Sequence, residues 1–177
     1  MKSRPIIQID NNKDNPLRLT ATPVTKEEFG SSALKSVLSD MEKALSKESD
    51  GVAIAAPQIG VSQRIFLVSP NAYEEDAKFK PLVFINPKIL KRSKKTAVMQ
   101  EGCLSVRWIY GKTKRSIGAT VEAYDFQGNK FTYGGGGLLA HIFQHEIDHL
   151  DGVLFIDHGF DLEEHTEEEV RESVRKK

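Results

Sequence analysis

Two histidines and a glutamate on one predicted helix carry the clearest chemical signal in the sequence. His145 and His149 are four residues apart, and Glu146 follows the first of them. On a helix this spacing places both imidazoles on one face, one turn apart, where they can bind the same metal ion. Glu146 lies about 100° around the helix axis, where its carboxylate can reach water at the ion without binding the metal itself. The pattern therefore predicts a metal site with a catalytic carboxylate beside it.

Apolar side chains on two faces predict that this helix is buried. One stripe consists of Leu139, Phe143, Ile147 and Leu150, and a second, continuous with the two histidines, consists of Leu138 and Ile142. Buried polar groups need partners because an unpaired group loses its hydration without compensation. A metal ion supplies such a partner. The alternative is a surface helix with hydrated histidines, which the two apolar stripes disfavour.

Cys103, the single cysteine in the sequence, is the candidate third ligand. A lone cysteine is usually an inert buried side chain. Here Gly102 permits close approach of a ligand or backbone, and Glu101 and Ser105 can orient the segment by hydrogen bonds. An ordinary zinc peptidase takes its third ligand from downstream of the helix, where no residue has a comparable local context. A Cys-His-His set with an open position is typical of catalytic sites, and its thiolate favours iron(II) or zinc.

The composition places the chain among globular proteins. It has 177 residues with 25 basic and 25 acidic side chains, and this length predicts a single domain over residues 1–177. One cysteine excludes an internally disulfide-bonded scaffold, and a net charge of zero argues against a protein that mainly coats nucleic acid or an anionic membrane. The N-terminal residues lack the apolar core of a signal peptide, and no run is long enough to span a bilayer. We therefore expect a cytoplasmic protein with no membrane partner and no stable nucleic-acid partner.

Hydrophobic patterns along the rest of the chain predict an α+β fold. Short apolar or β-branched runs between turn signals predict strands, and the lack of helices between them indicates antiparallel sheets. The glycines at residues 134–137 are expected to form a loop that passes close to other backbone. The predicted strands are residues 52–56, 64–68, 81–85, 96–99, 119–124, 130–133 and 153–156. The predicted helices run from Ser31 or Ser32 to about Asp50, from Leu138 to Leu150, and onward from Thr166, where Glu169 completes a capping box.

Three segments, in this order, resemble the peptide deformylase family. They are residues 51–58 (Gly-Val-Ala-Ile-Ala-Ala-Pro-Gln), 101–105 (Glu-Gly-Cys-Leu-Ser) and 144–150 (Gln-His-Glu-Ile-Asp-His-Leu). One His-Glu-x-x-His motif alone is a moderate signal, whereas all three segments in order are a specific one. Residues 15–18 and 22–24 are similar to the family's N-terminal arm, so the resemblance covers the chain from about Leu17 to Phe155.

The resemblance implies an enzyme that removes the formyl group from N-formylmethionine at the start of nascent polypeptides and releases formate. It also implies antiparallel sheets packed around a central metal-binding helix, with a C-terminal helix. The native metal would be iron(II), and zinc, nickel or cobalt could occupy the site. The partners would be the N-formylmethionyl peptide and, transiently, nascent chains on the ribosome.

The resemblance also assigns roles to individual residues. The cysteine and the two histidines would be the three protein ligands of the metal. Glu146 would accept a proton from the attacking water and deliver it to the leaving amine. The side-chain amide of Gln58 and the backbone N–H of Leu104 would stabilise the oxyanion that develops on the formyl oxygen.

Substrate contacts are expected from a strand edge and from the metal helix. The backbone at residues 51–54 would bind the peptide as an added strand, and the glycine before the cysteine would allow close approach. Side chains one to two turns before His145, on or near its face, would line a pocket for the methionine side chain, with core packing as the alternative. The residues assigned to substrate are Gly51, Val52, Ala53, Gly102, Leu138, His141 and Ile142.

Three residues depart from the family pattern. Ala53 stands where the family has glycine, Arg107 stands where a proline is usual, and His141 adds a third imidazole near the metal helix. A methyl group at residue 53 would crowd the substrate or exclude a positive φ. Because every residue required for the chemistry is present, we expect activity with altered specificity or rate.

Two other functions fit the sequence. One is a metal-dependent peptidase or amidase with a different substrate. The other is a non-catalytic relative that binds nascent chains or ribosomes through basic clusters at residues 91–95 and 112–115, although such clusters are usually solvated loops. The intact metal set and Glu146 favour an enzyme over a binding protein.

Overall fold

Two antiparallel sheets pack against one central helix in the computed structural model, which describes residues 4–10, 12, 14–72 and 81–175. Every pairing between the strands is antiparallel. This arrangement confirms the predicted α+β class. In chain order the elements are α1 (Ser32–Leu45), β1 (Ala53–Ala55), β2 (Ile65–Val68), β3 (Leu82–Arg92), β4 (Thr96–Gly102), β5 (Ile109–Ser116), β6 (Gly118–Tyr124), β7 (Lys130–Gly136), α2 (Leu138–Leu150), β8 (Phe160–Glu164) and α3 (Glu167–Arg175).

The larger sheet has the strand order β1-β2-β3-β6-β7 and carries the main core. Phe84 lies at the centre of this core. Its ring stacks on Phe66 with 4.5 Å between the centroids, and it meets Phe143 of α2 edge-on at 5.2 Å. All three side chains are fully buried, so aromatic packing holds α2 against the sheet.

The smaller sheet has the strand order β4-β5-β8 and contacts α2 through β5. Burial alternates along β5, where Thr113 and Arg115 are buried and Lys112 and Lys114 are exposed, as expected for a strand with one face on the interior. The Arg115 guanidinium donates to the carboxylate of Asp148 on α2 at 2.8 Å. Side chains of both sheets therefore meet around the same helix.

α1 packs against the opposite face of the larger sheet. Ser31 caps the helix by accepting a hydrogen bond from the Leu34 N–H at 3.1 Å. Ile54 of β1 and Leu67 of β2 point to α1, whereas their strand neighbours belong to the core under α2. The helix ends at Leu45, and residues 46–50 form turns in place of the last helical turn expected from the sequence.

The predicted strand at residues 153–156 is wrong. That segment contains a 3₁₀ turn over Phe155–Asp157, and Leu154 and Phe155 are buried because they pack with Leu17 and Val106. An irregular segment can bury a short apolar run as well as a strand can. The hydrophobic patterns also missed β5, which is rich in charged residues, and β8, which is exposed throughout.

β3 continues through Asn86 and Pro87, beyond the predicted end of this strand at residue 85. Its register on β6 shifts between Ile85 and Lys88, and Asn86 has a φ of 50°. The Asn86 side chain is hydrogen-bonded to both the N–H and the C=O of Val24, each at 2.8 Å. A β-bulge thus accommodates the proline inside the strand.

The glycines at residues 134–136 belong to β7 and not to the expected loop. A Cβ on Gly135 would lie 2.8 Å from Leu139 Cγ and 3.0 Å from Phe143 Cε2. Glycine here lets α2 approach the sheet, so the close approach is to helix side chains and not to backbone. Gly137, with a φ of 56°, is the N-cap residue of α2.

The C-terminal helix is capped as predicted. The Thr166 N–H donates to the Glu169 carboxylate at 2.7 Å, and the Glu169 N–H donates to Thr166 Oγ1 at 3.3 Å, which is a capping box.

In the part of the chain that the structure describes, no helix is long and apolar enough to cross a membrane.

Replacing Phe84 with alanine tests the assignment of the main core. Phe84→Ala is expected to lower the free energy of unfolding by about 3–5 kcal/mol, because it removes a fully buried ring and leaves a cavity. Phe160, which is 43% exposed, supplies the control, and Phe160→Ala should cost about 1 kcal/mol or less. Urea unfolding followed by circular dichroism measures both values, and equal losses would contradict the assignment.

Candidate metal centre

Three side chains with metal-binding atoms converge between the smaller sheet and α2. Cys103 follows β4, and His145 and His149 lie one turn apart on α2. Their ligand atoms all lie within 4.8 Å of one another, and Cys103 Sγ is 3.2 Å from His149 Nε2. The structure thus brings together the three residues that the sequence assigned to a metal.

The donor set and its spacing fit a divalent metal ion. An ion about 2.3 Å from sulfur and about 2.0–2.1 Å from nitrogen holds tetrahedral ligand atoms about 3.3–3.6 Å apart. The observed separations between the ligand atoms are compatible with this range. One pair is 3.2 Å apart, and no pair is more than 4.8 Å apart. One thiol and two imidazoles suit zinc or iron(II), whereas magnesium and calcium prefer oxygen ligands.

The Glu101 carboxylate orients the first histidine of the cluster. Glu101 Oε1 is hydrogen-bonded to His145 Nδ1, which leaves His145 Nε2 to face the cluster. Glu101 Oε2 is hydrogen-bonded to His141 Nε2 at 2.6 Å. A carboxylate behind a metal-binding imidazole fixes its tautomer and raises its basicity.

Glu101 is itself held by a buried network. The Arg115 guanidinium donates to both Glu101 oxygens, at 2.8 and 3.0 Å, and the Thr113 hydroxyl donates to one of them. Burial acts to raise the pKa of Glu101. The hydrogen bonds from His141, His145 and Arg115 outweigh burial and hold the pKa well below its ordinary value. The carboxylate therefore stays ionised in the protein interior.

The two histidines of the cluster have opposite pKa shifts. Burial acts to lower both values, but at His145 the interactions with Cys103 and Glu101 raise the pKa well above its ordinary value. At His149, burial and then the neighbouring His145 lower the pKa well below its ordinary value. The surroundings thus favour a charged His145 beside a neutral His149, and a metal ion would take the place of the proton on His145.

Glu146 lies in a dry environment beside the cluster. The residue is 4% exposed, and among the described residues its Oε2 has no hydrogen-bond partner. Burial raises the pKa of Glu146 to about 7. A carboxyl group with this pKa exchanges protons effectively near neutral pH, which suits the role predicted for Glu146.

Gln58 and Leu104 present N–H groups near the cluster. Gln58 Oε1 accepts a hydrogen bond from the Ala55 N–H at 2.8 Å, and this bond fixes the orientation of the amide. The Gln58 NH₂ group consequently faces Ser105 Oγ at 3.1 Å and Cys103 Sγ at 3.6 Å. Within the described residues, the Leu104 N–H has no acceptor, so it is available to a ligand.

A cavity of about 590 Å³ opens onto the cluster. β1 is an edge strand of the larger sheet, so one side of its backbone is not paired with another strand. This backbone borders the cavity. His149 lies behind the cavity wall and is 1% exposed. The other predicted site residues line the cavity, namely Gly51, Val52, Ala53, Gln58, Gly102, Cys103, Leu104, Leu138, His141, Ile142, His145 and Glu146.

The fold accommodates Ala53 and His141. Ala53 does not have a positive φ and is buried in the main core, so its methyl group does not strain β1. His141 is buried and bonded to Glu101, so it is not a solvated group. The close approach at Gly102 is by the Tyr110 ring, which would lie 2.7 Å from a Cβ there, and not by backbone.

The sequence patterns missed Thr113 and Arg115 as parts of the site. Both lie in the run 112–115, whose charge suggests a solvated loop. The run is the strand β5, and its alternation buries these two side chains while the lysines stay exposed. The alternation of lysine with other residues was the only local signal for this arrangement.

The sequence matches one protein family along most of its length. The family model described as polypeptide deformylase matches residues 4–165. The chain belongs to the polypeptide deformylase family. A peptide deformylase 2 of Clostridium acetobutylicum is 41% identical over 150 residues, which cover 85% of this chain and 93% of that protein. A peptide deformylase 2 of Xanthomonas campestris is 42% identical over 164 residues, which cover 93% of this chain and 89% of that protein.

Solved deformylase structures share this fold. A class I type b peptide deformylase from Acinetobacter baumannii with Met-Ala-Ser bound has a TM-score of 0.78 and 32% identity, over 89% of this chain and 99% of that one. A peptide deformylase from Thermotoga maritima has a TM-score of 0.76 and 36% identity, over 89% of this chain and 98% of that one. Polypeptide deformylases are metal-dependent enzymes, which agrees with the Cys-His-His cluster.

Removing a ligand tests the metal site. Loss of an outer hydrogen-bond partner weakens metal binding about 10–100-fold. Cys103→Ser and His149→Ala remove a ligand itself, so each is expected to weaken metal binding by more than that. His158, an exposed histidine outside the cluster whose Nε2 is 3.4 Å from Asp148 Oδ2, provides the control, and His158→Ala should bind metal normally. Metal content after anaerobic purification and titration with a chelator measure the effect. A fully metallated Cys103→Ser protein would contradict the assignment.

Neutralising Glu101 tests its orienting role. Glu101→Gln is expected to weaken metal binding about 10–100-fold. It should also lower the free energy of unfolding by about 3–5 kcal/mol, because Arg115 loses its buried partner. Glu122 forms an exposed ion pair with Lys130, and Glu122→Gln should cost about 1 kcal/mol or less. Chelator competition and urea unfolding measure the two effects, and unchanged metal affinity in Glu101→Gln would refute the role.

Proposed function

We propose that this deformylase hydrolyses the N-formyl group of an N-terminal formylmethionine, releasing formate, with a divalent metal held by Cys103, His145 and His149. The observation that carries this proposal is the meeting of that cluster with the buried Glu146 at one cavity. Membership of the polypeptide deformylase family supports the reaction. A divalent ion at these ligands would supply Lewis acidity for the attack of water on the formyl carbonyl.

Glu146 acts as the proton carrier. Its carboxylate accepts a proton from the attacking water and delivers it to the amine that leaves. Because the pKa of Glu146 is raised to about 7, its carboxylate is a stronger base than an ordinary glutamate, and its protonated form can still donate near neutral pH. The unpartnered Oε2 leaves the carboxylate free to form these transient hydrogen bonds.

The oxyanion is stabilised by two N–H donors that are oriented before the reaction. The Gln58 amide is fixed by the Ala55 N–H, and the Leu104 backbone N–H belongs to the segment that carries Cys103. Preoriented donors stabilise developing charge without reorganisation during the reaction. The amide of Gln58 does not titrate, so its contribution is the same across the working pH range.

The cavity supplies a peptide-binding surface. A peptide binds as an added strand at Gly51, Val52 and Ala53, which lead into and begin the unpaired edge of β1. Val52 and Leu138 are large apolar side chains that remain 36% and 46% exposed at this cavity, and burying them against methionine is favourable. Ile142 and His141 continue the same wall on α2, and Gly102 borders it from β4. The related Acinetobacter enzyme was solved with the peptide Met-Ala-Ser bound.

We also infer the native metal, the setting and the domain organisation. Iron(II), the ion that the family resemblance implies, is the proposed native metal, and the thiolate with two imidazoles also suits zinc, nickel or cobalt as substitutes. The proposed substrates are nascent chains, which the enzyme contacts transiently at the ribosome in the cytoplasm. The chain is proposed to form one catalytic domain over residues 1–177, because both sheets pack on the single helix α2.

Substitution of the proton carrier tests the mechanism. Glu146→Gln is expected to lower kcat for formyl-Met-Ala-Ser by about 10²–10⁴-fold, with metal content unchanged, because glutamine cannot accept the proton. Glu164, an exposed residue of β8, supplies the control, and Glu164→Gln should retain the native rate. Formate release by anaerobically prepared, iron-loaded protein is the measurement.

The substrate comparison separates the proposed reaction from a peptidase. The iron-loaded protein should release formate from formyl-Met-Ala-Ser and should not cleave the peptide bonds of Met-Ala-Ser. Cleavage of the unformylated peptide without deformylation would refute the proposed function. A native rate in Glu146→Gln would refute only the role of Glu146.

A further inference from the structure

Two walls of the peptide cavity come from segments that are far apart in the chain. One wall is formed by residues 50–53, which lead into and begin the open edge strand β1. The other is formed by residues 102–108, which include Cys103 and Leu104. The separation of these walls decides whether an extended peptide can bind β1 and reach the cluster at the same time.

Arg107 joins the two walls. Its guanidinium donates to both oxygens of Asp50, at 2.7 and 3.2 Å, and to the Glu48 carboxylate at 2.8 Å. The Arg107 side chain is 16% exposed, so the ion pair is partly desolvated. Hydrogen bonds from Arg107 are the main cause that lowers the pKa of Asp50, against a smaller opposing effect of burial.

The wall that carries Cys103 has other supports. The Leu104 carbonyl accepts a hydrogen bond from Gln8 Nε2 at 2.8 Å, and the Ser105 carbonyl accepts one from the Ile9 N–H at 2.9 Å. Ser105 is fully buried. Loss of the Arg107 contacts should therefore leave this wall, with its metal ligand and oxyanion donor, in place.

The wall that leads into β1 is less constrained. Residues 46–50 form a turn that lies at the surface, with Glu48 half-buried and the other four residues exposed. Its internal hydrogen bonds, such as the Gly51 N–H to the Glu48 carbonyl at 3.1 Å, shape the turn without linking it to the opposite wall. Beyond Gly51 the chain is fixed, because the Val52 carbonyl accepts a hydrogen bond from the Ser69 N–H at 2.8 Å and β1 pairs with β2. The contacts from Arg107 link the turn to the opposite wall, so the turn is the part of this wall that moves when they are lost.

We propose that Arg107 is a positioning residue that sets the width of the peptide groove by holding the turn before β1 against the segment of Cys103. The proposal rests on the proposed function. The guanidinium is already occupied by Asp50 and Glu48 and lies over the Trp108 ring at 4.4 Å. Arg107 therefore acts through the turn and does not bind the substrate side chains. Proline, which is usual at this position in the family, cannot form such a bridge.

Steady-state kinetics of the iron-loaded protein test this role. Arg107→Ala is expected to raise KM for formyl-Met-Ala-Ser about tenfold with kcat within about twofold, because the wall binds ground state and transition state alike. Arg107→Lys should give an intermediate KM, since an ammonium group cannot form the bidentate contact. Arg18 forms a comparable ion pair with Asp157 outside the cavity, and Arg18→Ala is the matched control with native KM and kcat.

Two further measurements distinguish positioning from direct contact or from general damage. The rise in KM should be the same for formyl-Met peptides with lysine or glutamate as the second residue. Asp50→Asn should raise KM similarly, and the Asp50→Asn/Arg107→Ala double variant should add little to either single change. Thermal unfolding and metal content of each variant show whether the fold and the cluster are retained.

Several outcomes would overturn the proposal. A native KM in Arg107→Ala, a loss confined to the glutamate-containing peptide, or additive effects in the double variant would each refute it. A fall in kcat with unchanged KM would show that Arg107 supports the chemistry and not the groove. These results are separable from the proposed function, because that function fails only if the unmodified protein does not release formate.

Discussion

The buried carboxylate of Glu101 is the constraint on which the site depends. It accepts hydrogen bonds from Arg115 and Thr113 of β5 and is bonded to His145 and His141 of α2. An isolated ion could not be buried there, because its desolvation would cost more than the fold can offset. The network therefore exists only when the smaller sheet and α2 are both in their final positions. Metal-site geometry and tertiary packing are consequently parts of one cooperative arrangement.

The same network explains why the two ends of the metal cluster are differently supported. His145 is oriented by a charged partner, whereas the Nδ1 of His149 is buried and has no partner among the described residues. A ligand whose outer nitrogen is unpaired depends on packing for its orientation. His149 is almost completely buried beneath the cavity wall. The backbone of α2 and the aromatic residues that hold α2 against the sheet therefore determine where this side chain lies.

Local patterns predicted the helices and the Cys-His-His cluster, but they could not predict the contacts that cross between strands. The spacing of His145 and His149 follows from helix geometry alone, and Thr166 with Glu169 forms the expected cap. The link between Glu101 and Arg115 depends instead on the register of β4 on β5, which no short segment specifies. The strand predicted at residues 153–156 was wrong for a related reason. Burial in an irregular segment and burial in a strand produce the same hydrophobic pattern.

The short, open edge of β1 determines how general the enzyme can be. Backbone groups are identical in every polypeptide, so a partner that completes a sheet is selected by its extended shape and not by its composition. In the proposed function, the first side chain of the substrate meets a recess bounded by Leu138 and Ile142, which line the cavity. Such a surface, in the proposed function, treats all nascent chains alike after their first residue. The three-residue length of the strand has a further benefit, because so short an edge offers little template for unwanted association between copies.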